Sequence, residues 1–125
     1  MAKGIAAERE LVHLFWKHNW AACRVAGSGV MKYPLPDVIA GNGARVLAIE
    51  CKSTKHETQY LDEEQVQGLL TFARLLGAEP WIGLRFTRSE WLFVRLDELK
   101  NAGASRAVTK AYAAQAGKTL EQLLA

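Results

Sequence analysis

The sequence predicts an α/β fold, a mixed central β-sheet of about five strands flanked by helices. Two segments place apolar residues at three- and four-residue spacing, the signature of helices with one buried face. Between and after them run short stretches rich in β-branched and aromatic residues, bounded by Gly, Pro and Asn. Half of the 125 residues are apolar and no repeat or low-complexity run interrupts them, enough for one domain with its own core.

The elements follow in order. Gly4 to about Asn19 reads as a helix, because Ile5, Glu8, Leu11, Val12 and Phe15 fall on one face. Trp20 to Ala26 is a short strand, and Gly27 through Pro34 a loop closed by prolines. Asp37–Ala40 and Arg45–Lys52 are strands around Gly41-Asn42-Gly43, a hairpin signal because Asn and Gly tolerate positive φ. Ser53 to Leu61 is polar and expected to be mobile. Asp62 caps a second helix with Gln65 three positions on, a capping-box pattern. Val66, Leu69, Leu70, Ala73 and Leu76 form its stripe and Gly77 ends it. Trp81–Phe86 and Trp91–Leu96 are two further strands. The alanine-rich remainder, broken at Gly103 and Gly117, is expected to be a helical tail, so the core spans about residues 4–96 and the tail about 97–125.

Composition narrows the function classes. No apolar stretch approaches the roughly 18 residues of a membrane-spanning helix, and the N-terminus lacks a signal-peptide core. Cys23 and Cys51 match no metal or redox spacing and read as reduced thiols of a cytoplasmic protein. The net charge of +3 is modest, and the pI is about 9.0. The placement of the bases is more telling: Lys3, Arg9, Arg24, Lys32, Lys52 and Lys55 all lie in the first half, interleaved with candidate catalytic acids. A polyanion would need such a setting, since phosphate contacts supply most non-specific affinity. No nucleotide or cofactor loop is present.

The chemistry concentrates in Pro36-Asp37 and Ile49-Glu50-Cys51-Lys52. If Asn42-Gly43 forms a two-residue turn, Ala40 pairs with Arg45 and Asp37 with Ala48. Opposed residues share a face and side chains alternate. Asp37, Glu50 and Lys52 then point the same way, with Asp37 and Glu50 diagonal neighbours roughly 7–8 Å apart at the backbone. Cys51 faces the opposite side as a packing residue. Glu8 adds a third acid from the first helix, either reaching a cation or pairing with Arg9 or Arg24. Carboxylates gathered on one face repel unless a cation lies between them, and a hard, oxygen-preferring ion such as Mg²⁺ or Mn²⁺ suits them. Such an ion activates water and neutralises charge at a phosphodiester. Lys52 can serve the water or the phosphoryl oxygens, or simply form a salt bridge to Glu50 or Asp37. Ser28, in a glycine-flanked loop, and Arg24, leading into it, suit phosphate contact. His13 and His18 show no ligand spacing, and His56 is a loop residue within reach of DNA.

The chain from Gly4 to about Leu96, about three quarters of it, resembles the archaeal Holliday junction resolvases of the Hjc type, a branch of the PD-(D/E)xK nuclease superfamily. The match rests on Gly4 with Glu8-Arg9-Glu10-Leu11, Arg24, Ser28-Gly29, Pro36-Asp37, Ile39 to Gly43, Glu50-Cys51-Lys52-Ser53, Glu64-Gln65 and Phe72-Ala73-Arg74. The resemblance implies a restriction-endonuclease-like fold and a homodimer that cuts four-way DNA junctions by paired, symmetric nicks with Mg²⁺, Mn²⁺ substituting. It makes Glu8, Asp37 and Glu50 the metal-binding acids, Lys52 the base-side residue and Ser28 a residue needed for cleavage. Lys3, Arg9, Arg24, Lys32, Lys55 and His56 are the candidate DNA contacts. Cys51 stands where methionine or valine is more usual. Two other readings stay open: a duplex-cutting nuclease of the same superfamily, and a non-catalytic junction-binding protein. Part of the surface of Trp81, Phe86, Trp91 and Phe93, with the second helix, is the expected dimer contact, the alternative being that these aromatics fill the core. A sliding clamp or a branch-migration motor is a conceivable partner that the residues do not specify.

Overall fold

The structure is a computed structural model and describes residues 2–27, 32–99, 101–102 and 105–125. Helix α1 (Ala2–Lys17) leads into β1 (Ala21–Arg24), β2 (Val38–Gly41), β3 (Val46–Thr54) and β4 (Thr58–Asp62). After α2 (Glu63–Leu76) come β5 (Glu79–Phe86) and β6 (Trp91–Arg95). A 3₁₀ turn, β7 (Asn101–Ala102), β8 (Ser105–Thr109), α3 (Lys110–Ala116) and α4 (Leu120–Leu124) complete the chain. The main sheet has five strands in the order β1-β2-β3-β5-β6. Only β3 and β5 pair in parallel, so the sheet is mixed as expected.

Alternation along β3 explains the layers. Leu47 and Ile49 turn to one face, where Leu11 and Phe15 of α1 and Leu120 and Leu123 of α4 cover them with Val38, Trp81 and Phe93. Ala48 turns to the other, where Val66, Leu69 and Ala73 of α2 meet Ile82, Leu84 and Val94. Leu11 and Phe15 are fully buried, each contributing about 1.5–3 kcal/mol of transfer free energy. Helix α2 begins and ends where its sequence dictates. Asp62 accepts a hydrogen bond from Glu64 N at 3.2 Å, and Gly77 closes it in the left-handed region at φ 80°.

Three expectations are corrected. Ser53–Leu61 is not a loop: β3 continues to Thr54, and β4 pairs antiparallel with β8. The tail is not wholly helical, since β8 and β7 build with β4 a second, three-stranded sheet. Leu61 and Val108 bury themselves from this sheet into the α2-side core. That pairing joins residues about fifty positions apart, and no local pattern announces it. Third, Trp81, Phe86, Trp91 and Phe93 are at most 4% exposed; they fill the core and offer no dimer surface. The exposed apolar residues include Leu75 and Leu76 at the end of α2. No helix among the described residues is long and apolar enough to cross a membrane.

Candidate active site

The β2–β3 connection sets the site. Its turn is wider than a two-residue hairpin: Gly41 pairs with Val46 and Ala40 with Leu47. Asn42 organises the loop, its Oδ1 accepting from Ala44 N at 2.9 Å and Arg45 N at 2.7 Å, while Gly43 adopts φ 95°. The register is displaced by two residues from the expected one. A two-residue shift preserves side-chain parity, so Asp37 still shares a face with Glu50 and Lys52. The ladder ends at the pair of Val38 with Ile49, and Asp37, one residue before it, brings its carboxylate within hydrogen-bonding reach of the Glu50 carboxyl.

Asp37 is held on three sides. Its backbone N donates to Ile49 O at 3.0 Å and its carbonyl accepts from Val25 N at 2.8 Å. Its Oδ2 accepts from Cys51 N at 2.9 Å. Cys51 itself packs toward the α1 layer, as its parity requires. Burial, followed by the charge of Asp37, raises its thiol pKa well above the ordinary value.

Glu50 and Lys52 project from alternate positions of β3, with Lys52 Nζ 3.8 Å from Glu50 Oε2. Burial is the largest influence on the Glu50 carboxyl, and the charge of Asp37 the second. Lys52 opposes them, while Glu8 and a hydrogen bond with Asp37 add to them; the carboxyl is pushed up to about 7. A half-charged acid beside another acid is a site short of positive charge. Glu8 approaches from α1, across the sheet, and its Oε1 lies 3.5 Å from Arg24 Nη1. Its pKa too is raised, by burial first and Asp37 next, against the pull of Arg24.

The structure thus brings Asp37, Glu50 and Lys52 together and stations Glu8 beside them in an ion pair. Among the described residues, no three His, Cys, Asp or Glu side chains are gathered closely enough to hold a metal ion. The donor set nonetheless fits a divalent cation. Two neighbouring carboxylates, one with its charge suppressed by burial and by the other, are hard oxygen ligands whose mutual repulsion a cation would relieve.

A cleft of about 480 Å³ opens onto the pair, lined by Lys32, Tyr33, Asp37, Glu50, Glu64 and Gln65, among others. Gln65 is the residue that sequence reasoning missed. The capping-box pattern assigns it to the helix start, but Asp62 caps through Glu64 N, and Gln65 lines the same cleft as Glu50. Its spacing four residues before Leu69 was the available signal, placing it on the sheet-facing stripe.

The remaining candidates spread around this centre. Lys32 lines the cleft; Arg9, Lys55 and His56 are exposed, the latter two in the turn between β3 and β4; Arg24 is engaged by Glu8. Lys3 lies in the first turn of α1, and Ser28 lies outside the described residues. Arg88, unassigned from sequence, is exposed in the β5–β6 turn and borders a hollow with Ser53, the residue after Lys52.

Comparison with known proteins decides the family. The family model described as archaeal Holliday junction resolvase (Hjc) matches residues 1–125. The chain belongs to that family. The crossover junction endodeoxyribonuclease Hjc of Archaeoglobus fulgidus is 46% identical over 99 residues, covering 79% of this chain and 73% of that protein. The protein of the same name from Sulfolobus acidocaldarius is 32% identical over 124 residues, covering 98% and 86%. The solved structure of Archaeoglobus fulgidus Hjc, a Holliday junction resolvase, superposes with a TM-score of 0.91 at 36% identity, covering 98% of this chain and all of that one. The restriction-endonuclease-like arrangement expected of the resolvase family is therefore the arrangement described above.

Proposed function

We propose that this protein is a structure-specific endonuclease that resolves four-way DNA junctions by paired, symmetric, metal-dependent hydrolysis of phosphodiester bonds. The observation that carries the reading is the closeness of Asp37 and Glu50 with Lys52 beside them on one face of β3, in a cleft whose acids repel. Family membership supplies the substrate class. Asp37 and Glu50 would hold a divalent cation, Mg²⁺ with Mn²⁺ substituting, which when bound supplies charge to polarise a water and a phosphoryl oxygen.

The chain's own groups do the rest. Cys51 N fixes the Asp37 carboxylate by hydrogen bonding, so this ligand is set before substrate arrives. Lys52, 3.8 Å from Glu50, orients the attacking water and stabilises the negative charge that develops on the phosphoryl oxygens. Arg24 turns from Glu8 to a phosphate when DNA arrives, freeing Glu8 as a third carboxylate. Lys3, Arg9, Lys32, Lys55 and His56 contact the backbone of the junction arms, and Ser28 donates to a phosphate beside the cut. Such contacts position the duplex without reading its sequence.

Two symmetric cuts need two sites at a fixed separation, which a twofold dimer supplies. The exposed Leu75 and Leu76 of α2 are the surface we assign to that contact. Sedimentation of the wild type and of Leu76→Glu tests it: a concentration-dependent dimer that the substitution splits is expected, and a monomer mass for wild type at every concentration would refute it. For the activity, wild type and Asp37→Asn are compared on a four-way junction and its linear duplex, with Mg²⁺ and with chelator. Wild type should nick the junction in symmetric pairs only with metal, and the variant should bind without cutting. Equal cutting of duplex would make it a general nuclease, and binding without any cutting a junction-binding module.

A further inference from the structure

Gly68 occupies the middle of α2, where glycine is unfavourable relative to any residue but proline. A Cβ placed there would meet Pro34 Cβ at 2.8 Å, with Pro34 Cγ at 3.8 Å and Cα at 3.9 Å. Non-bonded carbons settle at about 3.5–4.0 Å, so the first of these is a collision. Pro34 cannot swing clear of it, because its Cβ belongs to a ring closed on the backbone. The segment leading to β2 can therefore seat on α2 only because position 68 carries no side chain.

Asp37 lies three residues beyond Pro34, and the intervening Pro36 is buried. Two prolines with fixed φ leave this segment little slack, so a shift at Pro34 is passed to Asp37. Gly68, Pro34, Asp37 and Glu50 line one cleft. We propose that Gly68 is a positioning residue for the carboxylate pair: the bare helix surface seats Pro34, and the seated segment holds Asp37 beside Glu50 so that both carboxylates can share one divalent cation. The inference rests on the metal-dependent reading above and adds to it the device that sets one ligand's place.

The test is a double-mutant cycle of Gly68→Ala and Pro34→Gly, read by Mn²⁺ affinity of the DNA-free protein from the electron paramagnetic resonance of free Mn²⁺. Junction cleavage against Mg²⁺ concentration is the second readout. On helix propensity alone, alanine strengthens α2, so weaker metal binding in a variant that still melts cooperatively cannot come from a weakened helix. Gly68→Ala should weaken Mn²⁺ binding about tenfold, the scale of losing a group that orients a ligand, and raise the Mg²⁺ needed for cleavage in proportion. In the Pro34→Gly background, where the colliding Cβ is gone, Gly68→Ala should change neither readout. Wild-type Mn²⁺ affinity in Gly68→Ala would overturn the inference and leave the nuclease reading intact, as would effects of the two substitutions that simply add. A wild type that neither binds Mn²⁺ nor nicks a junction would overturn that reading and this inference with it.

Discussion

Two acid–base clusters on the central strands differ in kind. At the start of β3 and β5, Glu79 accepts from Arg45 Nε at 2.8 Å, Arg45 Nη2 at 2.9 Å and Trp81 Nε1 at 3.0 Å. Arg95 stands 3.7 Å away, and Arg45 spends its remaining reach on Leu123 O at 2.7 Å. The carboxyl of Glu79 is accordingly held below its usual range, chiefly by the Arg45 hydrogen bonds. Further along the same strands, Glu50 faces Asp37, one lysine sits at 3.8 Å, and the carboxyl is pushed up to about 7. A carboxylate surrounded by donors ties α4 to the sheet. A carboxylate crowded by another lacks positive charge, and on the proposed reading a divalent cation supplies it.

The comparison can be broken by exchanging the two behaviours. Glu50→Gln should lower metal-dependent junction cleavage by on the order of 10²–10³-fold or more, the scale of removing a preorganised electrostatic group, while a urea titration of the metal-free protein shows no loss of stability. A substantial loss of folding stability would make Glu50 structural. Glu79→Ala should do the reverse. Removing one partner strands Arg45 and costs about 2 kcal/mol, between an exposed pair and a buried one, because these side chains keep part of their solvent contact. Cleavage by the remaining folded protein should stay within a few-fold of wild type.

The pH dependence sharpens the contrast with the smallest effect. Glu50 holds its proton up to about 7 in the folded protein, against 4.5 ordinarily. Its contribution is fully present below pH 4.5. Between the two values the folded state carries the extra proton, so stability falls as pH rises and the contribution is gone above about 7. The separation of the two values sets a ceiling of about 3 kcal/mol, which residual solvent contact lowers to about 2 kcal/mol in the metal-free protein, and Glu50→Gln should flatten the slope. Glu79, with a lowered pKa, contributes in the opposite sense: its stabilisation is present above its ordinary value and fades as the solution is acidified. Thermal melts from pH 4 to 8 for wild type and both variants separate the two; a slope unchanged in Glu50→Gln would remove Glu50 as its source.

The candidate site was legible because its ingredients are local. Asp37, Glu50 and Lys52 share a face by alternation, and alternation survives a register error of two residues. The expected two-residue turn fails because Asn42 builds a wider loop from its own side chain, and that shifts the β2–β3 pairing by two residues. Glu8 could be placed on the sheet-facing stripe of α1 with Arg9, Arg24 or a cation as its partner; that Arg24 is the one depends on how α1 lies across β1. Gln65 was hidden by a capping pattern that Asp62 satisfied with a different backbone N–H.

The sequence by itself determined the helices, the five strands of the main sheet and the face on which the acids meet, because periodicity and caps act between near neighbours. Tertiary structure alone decided that residues 58–62 are a strand, that the late aromatics are core, and that Pro34 rests on Gly68. Each of these joins segments distant in the chain, and a backbone hydrogen bond or a packing contact between such segments leaves no periodic trace in either one.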